Sequence, residues 1–250
     1  MEKQRLLIRF PNQEMTAREY IAFCKHILHA FQQFAPDMAT VGIWSLAKKA
    51  DFYFDKKMPD FEDIILKEMQ IEGKEYAFIN ENKEDKGLHL DSKSYGNFAF
   101  NFGLSNNGDE SKEISISIWA GDKSKIGLLN VGFRNKLQPN LNLSNLLKLL
   151  EFNIDLVHPY YAIISSFKFT EKINKEENDI EIGWITYISH KEVVNLLPKN
   201  VERKVLPNGG VIFWLSEEKA LSTDEIAVQK AIEIRDILGA RKLLNYQSQG

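Results

Sequence analysis

The histidines and the lone cysteine are the side chains of this sequence best suited by type to do chemistry. His26 and His29 stand three residues apart, a spacing that puts two imidazoles on one side of a helix, where they could share a metal ion. No carboxylate or thiol joins them at helical spacing on that side, and Cys24 belongs to the apolar stripe instead. A solvated helix face is the better reading of the pair, and an inert core thiol the better reading of Cys24. His89 falls in a polar stretch, His158 precedes a proline, and His190 follows an apolar alternation. No nucleophile elbow, phosphate-cradling glycine loop, HExxH signature or paired-cysteine cluster occurs. The pattern gives no catalytic residue, no metal site and no cofactor. An enzyme could still assemble a site from scattered carboxylates, so that class stays open.

Carboxylates are the other polar signal. Glu171, Glu176, Glu177, Asp179 and Glu181 crowd one connection, and Glu217, Glu218, Asp224 and Glu225 crowd a second. Facing a basic groove on another protein, such groups would steer encounter and stand in for phosphates; facing only water, they keep a protein soluble. Glu176, Glu177, Asp179, Glu217 and Glu218 form the candidate partner-binding set.

Composition bounds what carries these residues. A chain of 250 residues can bury roughly 70 to 75% of its unfolded surface, so one large domain or two small ones need no staples. With 44% apolar and 27% charged residues it reads as an ordinary globular protein. A single cysteine excludes an internal disulfide. The first thirty residues carry no secretory leader and no stretch approaches a membrane span, which makes a cytoplasmic protein the expectation. A formal charge of -3, from 32 basic and 35 acidic side chains, gives no field to draw a polyanion, so direct nucleic-acid binding is not expected.

The elements that must position these groups centre on residues 179–190. There Ile180, Ile182, Trp184, Thr186 and Ile188 alternate with Glu181, Gly183, Ile185, Tyr187 and Ser189, and both phases are largely apolar. This predicts a central strand packed on both sides, with Gly183 admitting a close neighbour and Trp184 buried. Pro207-Asn208-Gly209-Gly210 then supplies a turn, and residues 211–215 a partner strand. Earlier, residues 5–10 read as a strand, and Thr16 to Glu19 has capping-box spacing before a helix with Tyr20, Cys24, Ile27, Leu28, Phe31 and Phe34 on one face, closed by Pro36. Residues 41–46 read as a strand, Asp60 as the cap of a helix over 61–69, residues 76–79 as a strand and 80–93 as an exposed loop.

Two clean alternations follow, Phe98/Phe100/Phe102 and Ile114/Ile116/Ile118, joined by a turn at 106–109; residues 126–133 add a third strand. Asn142 or Ser144 can cap a helix whose broad apolar ring includes Leu146, Leu147, Leu149, Leu150 and Ile154. Residues 160–169 read as a long strand. Ser222 to Glu225 repeats capping-box spacing before a last helix with Ala227, Ala231, Ile234 and Leu238 inward, ended by Gly239 and followed by a frayed tail. Strands cluster in meanders at 97–133 and 159–216, which points to an α+β fold, mainly antiparallel, with helices packed on one face. The chain is expected to form a single domain of residues 1–250, with two similar lobes over 1–138 and 139–250 as a further possibility.

The run Gly183-Trp184-Ile185-Thr186-Tyr187-Ile188-Ser189, then Leu206-Pro207-Asn208-Gly209-Gly210-Val211, then the polar segment from Ser216 to Asp224 before a closing helix, resembles the C-terminal half of the immunity protein 52 family. Members are similar in length and open, as here, with a strand ending in Phe10-Pro11 before a helix. The resemblance implies a cytoplasmic bacterial protein of polymorphic-toxin and type VI secretion systems. Such a protein binds and neutralises a secreted toxin, often a nuclease of restriction-endonuclease-like fold, and catalyses nothing. Three classes remain in view: a toxin-neutralising immunity protein, another protein-binding module, and an enzyme with a carboxylate site.

Overall fold

Alternating side chains build the middle of the sheet. In the computed structural model, which describes residues 2–38, 40–43, 52–70, 98–106, 113–134, 141–174 and 180–245, strands β1 (Gln4–Pro11), β2 (Thr40–Ile43), β3 (Phe52–Phe54), β4 (Phe98–Ser105), β5 (Ile114–Ala120) and β6 (Ile126–Phe133) come from the first half of the chain. Strands β7 (Tyr161–Ser166), β8 (Ile185–Ile188), β9 (Glu202–Val205) and β10 (Val211–Trp214) come from the second. All described ladders are antiparallel and join in one sheet of order β3-β2-β4-β5-β6-β1-β7-β8-β10-β9. The first strand sits between β6 and β7, so strands from either side of residue 138 share the sheet. With six described helices, α1 (Ala17–Phe34), α2 (Phe61–Gln70), α3 (Leu143–Val157), α4 (Phe167–Ile173), α5 (Val193–Leu196) and α6 (Glu225–Ala240), the fold is α+β and mainly antiparallel sheet.

Register fixes which side chains share a face. Phe98, Phe100, Phe102, Ile114, Ile116, Ile118, Leu129, Val131, Leu6 and Ile8 all lie on one face and are buried. Helix α1 covers them, its stripe of Tyr20, Cys24, Ile27, Leu28 and Phe31 as the 3.6-residue period requires. Its Thr16 and Glu19 form the complete reciprocal capping box. Tyr20 stacks on Phe98 at 5.0 Å and donates its hydroxyl to the Ile118 carbonyl at 2.8 Å. Phe61 of α2 packs on Phe54 and Phe102 of the same face. Helix α3, capped by the Asn142 side chain, packs beside α1 and reaches β9 through a Glu151–Lys204 pair at 2.7 Å.

On the opposite face the two halves differ. Ile163, Thr186, Ile188, Val211 and Phe213 are all buried there, under α4, α5 and α6. Arg203, in register with Phe213, donates to the carbonyls of Val194 at 2.9 Å and Leu197 at 3.2 Å, tying α5 down on this side. The expected packing of the central strand on both sides is what β8 shows. Gly183 has the predicted role: a Cβ there would lie 3.0 Å from Ser165 Cβ and 3.1 Å from the Ile164 carbonyl oxygen.

Several expectations are corrected. The strand expected over 160–169 stops at Ser166, whose hydroxyl accepts from the Phe169 amide and starts α4; local capping chemistry outweighs the apolar run. Of residues 179–190, Ile185–Ile188 alone form ladder pairs among the described residues. Just before them the Asn174 side chain takes the place of a neighbouring strand, accepting from the Ile182 amide at 2.8 Å. The last helix is capped by Asp224 rather than Ser222, which instead binds Glu2. The segment after Gly239 is packed at least to Leu244, which is fully buried and whose carbonyl accepts from the Ile180 amide. Residues 76–79 and 80–93 lie outside the described residues, as does most of the 106–109 turn.

Candidate partner-binding surface

The acidic set divides in two. Glu176, Glu177 and Asp179 lie outside the described residues. Glu217 and Glu218 are exposed in the turn after β10, where Ser216 Oγ donates to the Glu218 carbonyl at 2.7 Å. Neighbouring carboxylates have local partners. Asp224 accepts from the Ala227 amide, and Glu181 meets Arg5 at 3.3 Å. Trp184 is 1% exposed and donates Nε1 to the Ser216 carbonyl at 2.9 Å, so it is a packing residue and not a contact.

Over β4, β5 and β6 the second face of the sheet carries small and polar side chains and the exposed Trp119, while over β1 Leu7 of that face is buried and Phe167 of α4 lies against Arg5. One register row runs Ala99, Trp119, Leu128, Arg9; the next runs Asn101, Ser117, Asn130, Leu7. Trp119 is 45% exposed in a position where Ser115 and Ser117 precede it on the same face. Leu128 and Arg9 are half-buried beside it. Arg9 Nε is buried without a hydrogen-bond partner, and no described carboxylate pairs with the guanidinium. Further along β1, Arg5 lies 5.7 Å from the centroid of the Phe167 ring, itself 61% exposed at the start of α4. Strand spacing puts Trp119 and Arg9 about 10 Å apart at their Cα atoms, with Leu128 between them.

Sequence reasoning passed over this row because its members come from four strands. One signal was present: Trp119 is a lone large aromatic in the polar phase of an otherwise regular alternation, where nothing inside the core requires it.

The ionisable side chains of the core are shifted by burial. Burial pushes the Cys24 thiol well above its ordinary range, and Tyr20, fully buried beside it, is raised as well. The side chain of His29 bonds Gln32 at 2.9 Å, while His26 stacks on Phe152 with ring centroids 6.0 Å apart, so the two imidazoles have separate neighbours. Among the described residues no three His, Cys, Asp or Glu side chains are grouped to hold a metal. A groove of about 360 Å³ between α1 and α3 is lined by Ala30, Gln33, Phe34, Asn145, Lys148, Leu149 and Phe152, with no carboxylate among them. None of the described helices is long and apolar enough to cross a membrane.

No protein-family model matches the chain. No curated protein matches it either. Among solved structures it is similar to a type VI secretion system (T6SS) protein of Pseudomonas aeruginosa, PA0821, with a TM-score of 0.56 and 9% identity. That likeness covers 98% of this chain and 76% of the other, and at such low identity it is a likeness of fold.

Proposed function

We propose that this chain is an immunity protein that neutralises a cognate secreted bacterial toxin, of nuclease type, by forming a tight one-to-one complex in the cytoplasm. It catalyses nothing in this reading. The observation that carries it is the likeness of fold, over 98% of the chain, to a protein of a type VI secretion system. The resemblance of residues 183–189 and 206–211 to the immunity protein 52 family supports the same reading. An inhibitor needs a rigid scaffold and an exposed contact surface, and a ten-stranded sheet held by helices supplies the first. Carboxylates such as Glu217 and Glu218, exposed and close in sequence, would steer a basic toxin at long range.

The test is co-expression with the toxic domain encoded beside this chain, with survivors counted and binding measured on purified proteins. The expected result is survival together with a stoichiometric complex. Survival without a complex would point to enzymatic repair or modification; neither survival nor binding would leave the immunity reading without support. Reversal of Glu176 and Glu177, or of Glu217 and Glu218, to lysine should slow association and weaken its salt dependence with the fold intact.

A further inference from the structure

We infer that the open face of the sheet over β5, β6 and β1 is the surface on which the toxin docks, and that it receives an acidic segment of that protein carrying an apolar anchor. This rests on the immunity reading and adds the contact surface and the chemistry of what fills it. Trp119 and Leu128 present an apolar ledge in one register row, and Arg9 follows in that row about 10 Å from Trp119, before the buried Tyr161. Tryptophan and arginine are the side chains over-represented where interface energy concentrates.

Charge decides the occupant. The charged side chains that β1, β4, β5 and β6 place on this face are Arg5 and Arg9. Arg5 already has Glu181, whereas Arg9 has no described carboxylate and keeps a buried, unpartnered Nε. That Nε is closed to an incoming group, but a half-buried guanidinium without a carboxylate beside it can still donate its terminal N–H groups to one that accepts two at once. The rest of the face suits a protein and not a polyanion. Asn101, Ser117 and Asn130 offer neutral hydrogen-bonding groups, two arginines make no extended basic field, and the whole chain carries a net charge of -3. A partner loop with an aliphatic or aromatic side chain over Trp119 and an Asp or Glu toward Arg9 fits both ends of the row.

The full-length chain and its R9E and W119A variants are titrated with the toxic domain encoded beside it, and with a 20-base-pair DNA duplex. Expected are losses of affinity of about tenfold or more for each variant, with melting unchanged and no binding of the duplex. R9E should recover when an acidic residue of the toxin is changed to lysine, a rescue that a merely structural role for Arg9 would not give. If W119A melts early, R9E and its rescue carry the test. Wild-type binding that both variants match within about twofold would overturn this surface and leave the immunity reading standing. Failure of the wild type to bind would overturn both, and duplex binding lost in R9E would replace the acidic segment with a nucleic acid.

Discussion

Over β4, β5 and β6 the second face of the sheet carries Asn101, Ser115, Ser117, Asn130 and an exposed Trp119, whereas over β7, β8 and β10 the same face carries Ile163, Thr186, Ile188, Val211 and Phe213, all fully buried. One backbone ladder joins the two regions, so hydrogen bonding does not distinguish them. The side chains do. Each large apolar group buried on the second region is worth about 1.5 to 3 kcal/mol, which stabilises helices α4 to α6 against that face. A face of Asn and Ser offers a helix no such return. With the docking proposal, the difference would separate stability in one half from recognition in the other, and each substitution below sharpens or breaks that division.

The largest effect is expected at Trp184. Its side chain is 1% exposed, and its indole nitrogen holds the Ser216 carbonyl, so Trp184→Ala should cost about 3 to 5 kcal/mol in denaturant unfolding. A loss below about 1 kcal/mol would mean that the closed half can collapse around the cavity, and the division would weaken.

Arg203 comes next. Its guanidinium donates to the carbonyls of Val194, Leu197, Pro198 and Val201, which holds the segment between β8 and β9 in place. Arg203→Met keeps the stem and removes every donor, and should cost about 2 kcal/mol because the accepting carbonyls lose charged partners. Native-state hydrogen exchange should quicken first around α5.

The closed half was the harder one to read from sequence, for reasons those two residues illustrate. Regular alternation made β4, β5 and β6 legible, β6 to the exact residue, and Thr16 announced α1 through its capping box. Where both faces are apolar, period no longer separates strand from helix. Residues 160–169 therefore ran together until Ser166 turned the chain into α4, and Asn174 replaced a ladder before β8 that the apolar pattern alone extends to residue 179. The long-range partners of Arg203 and of Glu2 have no local signature. The acidic set was visible as composition, but the row of Trp119, Leu128 and Arg9 exists only once register is known.

A smaller, pH-dependent effect is expected where the two regions are tied at the start of β1. Glu2 accepts from Ser166 Oγ at 2.6 Å, from the Ser222 amide at 3.1 Å and from the Ser222 hydroxyl, so it joins β1 to α4 and to the turn before α6. Burial raises its pKa, but these hydrogen bonds to the charged form outweigh that and hold it below the ordinary value of 4.5. A depressed folded-state pKa stabilises the fold above pH 4.5, and the contribution fades as pH falls through the folded value. Glu2→Gln should therefore lower stability at pH 7 by less than about 1 kcal/mol, since the group is largely solvated, and make little difference at pH 3. An equal loss at both pH values would show that shape, not charge, holds the tie.

The smallest effect on stability is expected at Trp119, and it is the sharpest check on the division. The substitution is the same as at Trp184, which directly precedes β8, and Trp119 lies on a central strand of the same sheet, with β4 and β6 on either side. What differs is how far each ring is covered. Trp119 is 45% exposed, against 1% for Trp184, so truncating it removes part of a side chain that water already reaches and opens no cavity. Trp119→Ala should therefore shift unfolding by about 0.5 kcal/mol or less, in the range of surface substitutions, while under the docking proposal it weakens binding to the proposed toxin partner. A loss above about 2 kcal/mol would place Trp119 in the packing of the fold. The open face would then be a structural surface like the closed one, and the separation of stability from recognition would fail where it is most exposed to test.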